Sequence, residues 1–191
     1  MLIASYESFL LGVKPACSEN ILWLPTAFQL KLRRYPSVKK ENRRGAIYFQ
    51  TEEMKQRFLE ETKNLSPDSP EYIRILGLTL GFPPKAVDFH VRSLSRDPAH
   101  PQEATKWYNL HKVRANYAGN MFAENIDDLV ENTEWLWNRY GREWDMSLSV
   151  IRETDQRLFL YLVPFGDREK LKEAEEGLRK VLDENRKFWE G

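Results

Sequence analysis

Apolar positions along the chain fall into short periodic blocks. From Ala27 to Arg34 they alternate, with Phe28, Leu30 and Leu32 on one side and Gln29, Lys31 and Arg33 on the other. A period of two predicts a half-buried strand. Ala46 to Gln50 is a second strand candidate, and the polar stretch Tyr35 to Gly45 joins the two as a long-looped hairpin. A helix is predicted after it, capped by Thr51, with Glu52 and Glu53 at its positive end and Met54, Phe58, Leu59 and Thr62 as its stripe.

Ser69 and Pro70 form an N-cap and first-turn pair that opens a helix through Ile73, Leu76 and Leu80, closed by Gly81. Pro84 opens another, ending near Leu94. Further helices are expected from about Gln102 to Ala118 and from about Asn125 to Tyr140. In the latter, Ile126, Leu129, Val130, Thr133, Leu136, Trp137 and Tyr140 recur at three and four residues. Met146 to Ile151 and Arg157 to Val163 read as a second hairpin. Asp167 to about Trp189 reads as a helix with stripe Leu171, Ala174, Leu178, Val181, Leu182, Asn185 and Trp189. The pattern predicts an α+β fold: one domain over residues 1–191, with a small, mainly antiparallel sheet of two hairpins packed with five to six helices. The turn-rich stretches Asn64 to Pro70 and Ser95 to Pro101 are the places where it would subdivide.

Composition narrows the class. The 191 residues include 41% apolar and 13% aromatic side chains, enough to build a core without disulfides or a structural metal. Apolar runs are a handful of residues long, far short of the roughly 20 that cross a bilayer, so no membrane partner is expected. The start lacks a basic region and a small-residue cleavage site, and a lone Cys17 cannot form an internal disulfide, which together suggest the cytoplasm.

Charge changes the picture more. The 29 basic and 29 acidic residues cancel, but unevenly. Lys31, Arg33, Arg34, Lys39, Lys40, Arg43 and Arg44 face only Glu41, a local net charge of +6. Between Met121 and Asp145 the balance is −5. Such a basic segment attracts phosphates, nucleic acid or an acidic protein surface, and Tyr35 within it could stack on a base. Lysine and arginine also blunt exposed strand edges, so a solvated edge is the plain alternative.

The acidic helix carries a second candidate. Trp135 points away from the apolar stripe, among Asp128 and Glu131, where it either packs under a neighbouring element or anchors an interface. Asp127 and Glu131 stand four apart, but no histidine, cysteine or calcium loop accompanies them, so no metal site is expected. His90 and His111 fall on apolar arcs and read as packing residues, and His100 lies in a proline-bounded loop. No nucleophile signature surrounds Cys17, and no phosphate-binding glycine loop exists; no catalytic residue or cofactor is expected from these features.

Residues Pro84 to Arg92 resemble the recognition helix of LuxR-type helix-turn-helix regulators, which would make Lys85 and Arg92 DNA contacts. Ala86 stands where that helix has threonine and two prolines precede it, so a short amphipathic helix accounts for the likeness.

Three functions fit. The first is a binding protein whose basic hairpin engages a polyanion such as nucleic acid. The second is an interaction or self-associating protein that sets the basic hairpin against the acidic helix. The third is an enzyme with a site dispersed along the chain.

Overall fold

The computed structural model describes residues 3–40, 45–94, 101–141 and 144–190. It is an α+β fold with two antiparallel sheets of three and four strands. The chain divides into two compact units: an N-terminal one of Ile3–Phe82 with Ala118–Asn120, and a C-terminal one of Pro83–Tyr117 with Met121–Gly191.

The N-terminal unit begins with α1 (Ser5–Leu10) and β1 (Ala16–Glu19), then a 3-10 turn (Ile21–Trp23) and α2 (Thr26–Leu32). It continues with β2 (Ser37–Lys39), β3 (Ala46–Phe49), α3 (Glu52–Thr62) and α4 (Pro70–Thr79). β3 lies between β1 and β2, antiparallel to both. All four of its residues are buried, as a strand covered on both faces requires. Ala46 and Tyr48 join Phe9, Cys17 and Leu32 on one side, and Ile47 and Phe49 join Ala16, Phe58 and Leu80 on the other. The capping residues act as expected: Thr51 Oγ1 accepts from Met54 N, and Ser69 Oγ accepts from Tyr72 N.

One expectation fails here. Residues 27–34 do not form a strand, because 26–32 are helical. Leu24, Phe28 and Leu32 are four apart, and this helical stripe turns inward, with Leu32 fully buried, while Leu30 is left outside at 56% exposure. Within seven residues a period of two and a stripe at i, i+4 share members. Pro25 before the first turn and a run of Leu, Ala, Gln and Lys, with Thr26 its only β-branched residue, favour the helix. The hairpin is therefore shorter and later. β2 pairs with β3 through Lys39↔Ala46, and Lys40 N donates to Gly45 O. Gly45 has φ +116°, and a β-carbon there would lie 2.6 Å from Glu19 O, so only glycine fits.

The C-terminal unit contains α5 (Pro84–Leu94), α6 (Pro101–His111), β4 (Lys112–Tyr117) and β5 (Asn120–Asn125, its first residue counted with the other unit). A 3-10 turn (Ile126–Asp128), α7 (Leu129–Tyr140), β6 (Met146–Arg152), β7 (Arg157–Val163) and α8 (Arg168–Glu190) complete it. The sheet order is β5-β4-β6-β7, and α8 packs on β6 and β7. The helix expected over 102–118 stops at His111. From there Val113, Ala115 and Tyr117 are buried and alternate with Lys112, Arg114 and Asn116, a period of two in which Val113 and Tyr117 favour the strand. The stripe of α8 is buried from Leu171 to Asn185, and Asn185 bonds the β6 end through Ile151 O and Glu153 N.

Candidate polyanion-binding surface

The basic residues come from two elements. Lys31 lies in the last turn of α2, Arg33 caps it and Arg34 follows, where cations complement the carbonyl end of a helix. Lys39 ends β2 and Lys40 follows it. Arg43 and Arg44 lie outside the described residues. Lys31, Arg33, Arg34 and Lys39 are exposed, and none makes an ion pair among the described residues; Lys31 stands 5.8 Å from the centre of the Phe28 ring. From Asn20 to Lys40 the sequence has no acidic residue.

Tyr35 is not a free ring on this surface. It packs edge-on against Phe9, centroids 4.7 Å apart, as part of the cluster around Cys17 and Leu32. The exposed ring is Trp23, missed in the sequence. It projects from the 3-10 turn at 79% exposure beside Leu22 at 73%, and Asn20 Oδ1 caps that turn by accepting from Leu22 N. The signal that could have found it is the i, i+4 stripe of Leu24, Phe28 and Leu32, which turns Leu22 and Trp23 outward.

The same unit holds a buried polar cluster. Lys14, 3% exposed, donates to Ser5 Oγ at 3.0 Å and to Gly119 O at 3.4 Å, and Ser5 also bonds Glu19. Burial lowers Lys14 to a pKa of about 8 and raises Glu19. Cys17, fully buried, is pushed up to about 12, chiefly by burial, so its thiol is not a nucleophile at neutral pH.

The acidic helix is internally matched. Lys85 of α5 reaches Asp128 at 3.3 Å and Glu131 at 2.5 Å. Arg179 pairs with Asp127 at 2.7 Å, and Arg168 with Glu134 at 2.9 Å. Trp135 is half-buried, its ring 6.5 Å from Tyr140 and 6.0 Å from the Arg139 guanidinium. Of the two residues that the regulator likeness singled out, Lys85 is held in these ion pairs and Arg92 lies 4.1 Å over the Trp107 ring. His111 Nδ1 sits 2.7 Å from Trp107 O, while His90 is more exposed than a packing residue, with enough of its ring covered that burial lowers its pKa. Among the described residues no group of His, Cys, Asp and Glu could hold a metal ion, and no helix is long and apolar enough to cross a membrane.

Compared with protein-family models, curated proteins and solved structures, the chain matches none.

Proposed function

We propose that the chain binds polyanions, with nucleic acid as the ligand class, through the basic surface of the N-terminal unit. The observation that carries this reading is that Lys31, Arg33, Arg34 and Lys39 are all exposed and lack an acidic partner among the described residues. Elsewhere in the protein, cations such as Lys85, Arg152, Arg168 and Arg179 are consumed in ion pairs. Surface charge left unmatched is available to phosphates, and Trp23 on the same segment offers a face for a base.

Fluorescence anisotropy of a labelled single-stranded oligonucleotide tests this, first at about 50 mM salt, where phosphate contacts are strongest. Binding through these four cations gives a log–log salt slope near −3, at about 0.7 per phosphate. Absence of binding to both DNA and RNA at the low salt ends the proposal. Self-association of the basic segment with the acidic helix is less well supported, because Asp127, Asp128, Glu131 and Glu134 each already have a cation within their own unit.

A further inference from the structure

The sheet of the C-terminal unit is covered on one face by α8, toward which Tyr161 of β7 points until it meets Gly177. Alternation along β7 sends Leu158, Leu160 and Leu162 to the other face, and they are 53–58% exposed. Three leucines in consecutive same-face positions form a patch of the kind that marks a binding surface.

Cross-strand register shows what lies beside them. Leu160 is opposite Ser149 of β6, and Ser149 is opposite Arg114 of β4; Leu162, Ser147 and Asn116 form the next row. This face therefore grades from cationic through hydroxyl to leucine over two strand spacings, about 10 Å. At the cationic end, Asn109, Lys112, Arg114, Ser149, Glu153 and Gln156 line a shallow polar pocket that Ile151 also borders. Lys112 is steadied by Asn109 Oδ1 at 3.1 Å and by the Tyr108 ring at 5.0 Å, and Glu153 accepts from Gln156 at 3.3 Å. Arg114 is exposed and has no ion-pair partner among the described residues. Burial, first, and the neighbouring Arg114 lower the Lys112 pKa, and the Glu153 carboxylate of the same pocket acts against them with the smallest effect of the three.

We propose that this face binds a long-chain carboxylate, its head group at Arg114 and Lys112 and its hydrocarbon chain across Ile151, Leu160 and the flanking leucines of β7. The charge gradient selects this occupant. A purely apolar ligand leaves the two cations unmatched, a small anion leaves the leucines wet, and a second copy laid face to face opposes the same cations. The site lies in the C-terminal unit and does not depend on the polyanion surface.

The test is a titration of leucine-methyl-labelled protein with dodecanoate below its micelle-forming concentration, with acetate as the control. Saturable shifts are expected at Leu158, Leu160 and Leu162, with acetate bound at least tenfold more weakly. Arg114→Gln and Leu160→Thr, both at exposed positions and the second compatible with a strand, each weaken binding at least tenfold with folding intact by circular dichroism. Shifts elsewhere, unsaturable binding, or unchanged affinity in either variant overturn the proposal. So does a light-scattering mass twice that of the monomer that Leu160→Thr returns to the monomer, because the leucine face is then covered by a second copy.

Discussion

Tyr161 of β7 rests its hydroxyl and ring edge against Gly177 of α8, so closely that a β-carbon at Gly177 would fall inside the phenol. A glycine inside a helix costs about 1 kcal/mol relative to alanine, and here that cost is offset by letting α8 lie down on the sheet. Gly177→Ala gains the helix preference and loses the fit, and overpacking of this kind costs about 1–3 kcal/mol. The net expectation is a lower unfolding midpoint in chemical denaturation. Tyr161→Phe in the same chain removes the nearest atom and recovers part of the loss. If the single variant is more stable than the parent, the contact does not set the helix position.

Glu124 supplies a pH dependence. It is 1% exposed, accepts from Asn132 Nδ2 at 2.8 Å, and burial raises its pKa to about 8. An acid raised in the folded state is protonated there while the unfolded chain has already lost the proton, so the folded protein holds more protons between about pH 4.5 and 8. Its contribution to stability is therefore fully present below the unfolded pKa and is lost as pH rises through 8. Glu124→Gln keeps a neutral side chain of the same shape and flattens this decline, making the variant the more stable protein above pH 8 by a few kcal/mol. Parallel stability curves for the two proteins from pH 5 to 9 would contradict this.

Lys14 titrates in a separate window. Its burial lowers the folded pKa to about 8, so between there and the unfolded value near 10.5 the unfolded chain binds more protons. The charged lysine therefore costs stability below pH 8, and that cost is relieved as pH rises from 8 toward 10.5. Lys14→Gln abolishes the rise, which denaturation midpoints at pH 8 and 10 will register.

Trp23 and Tyr35 should separate by assay. Trp23→Ala removes an exposed ring, and the loss appears in oligonucleotide affinity, about 1–3 kcal/mol if a base stacks there, with little change in thermal stability. Tyr35→Ala opens a gap against Phe9 and lowers stability by about 3 kcal/mol, while leaving the surface cations in place. The opposite pattern would return the stacking role to Tyr35.

What the sequence disclosed follows from how many turns or alternations each element contains. α7 and α8 repeat their stripes over three or more turns, and β6 and β7 pair through a short turn, so both hairpin strands and both helices stand where the pattern puts them. α2 has fewer than two full turns, and its leucines satisfy both periods, so the local helix preference after Pro25 and the packing of Leu32 against Phe9 and Cys17 together decide. β4 follows α6 directly at His111 with no turn residue between them, so the end of the helix leaves no mark in the sequence, and β5 has no alternation to read. At the candidate surface, the charges were visible in the sequence. The packing of Tyr35 against Phe9 was not, because it depends on which way a two-turn element faces, and the exposure of Trp23 is legible only once Leu24, Phe28 and Leu32 are taken as a helical stripe.

Cys17 gives the protein an internal clock for its own opening. The sequence has one thiol, it is fully buried beside Phe9 and Leu32, and burial holds it protonated far above neutral pH. A thiol reagent can therefore reach it only when the N-terminal unit opens. The rate of modification reports the population of that opened state, with no label attached and no residue changed.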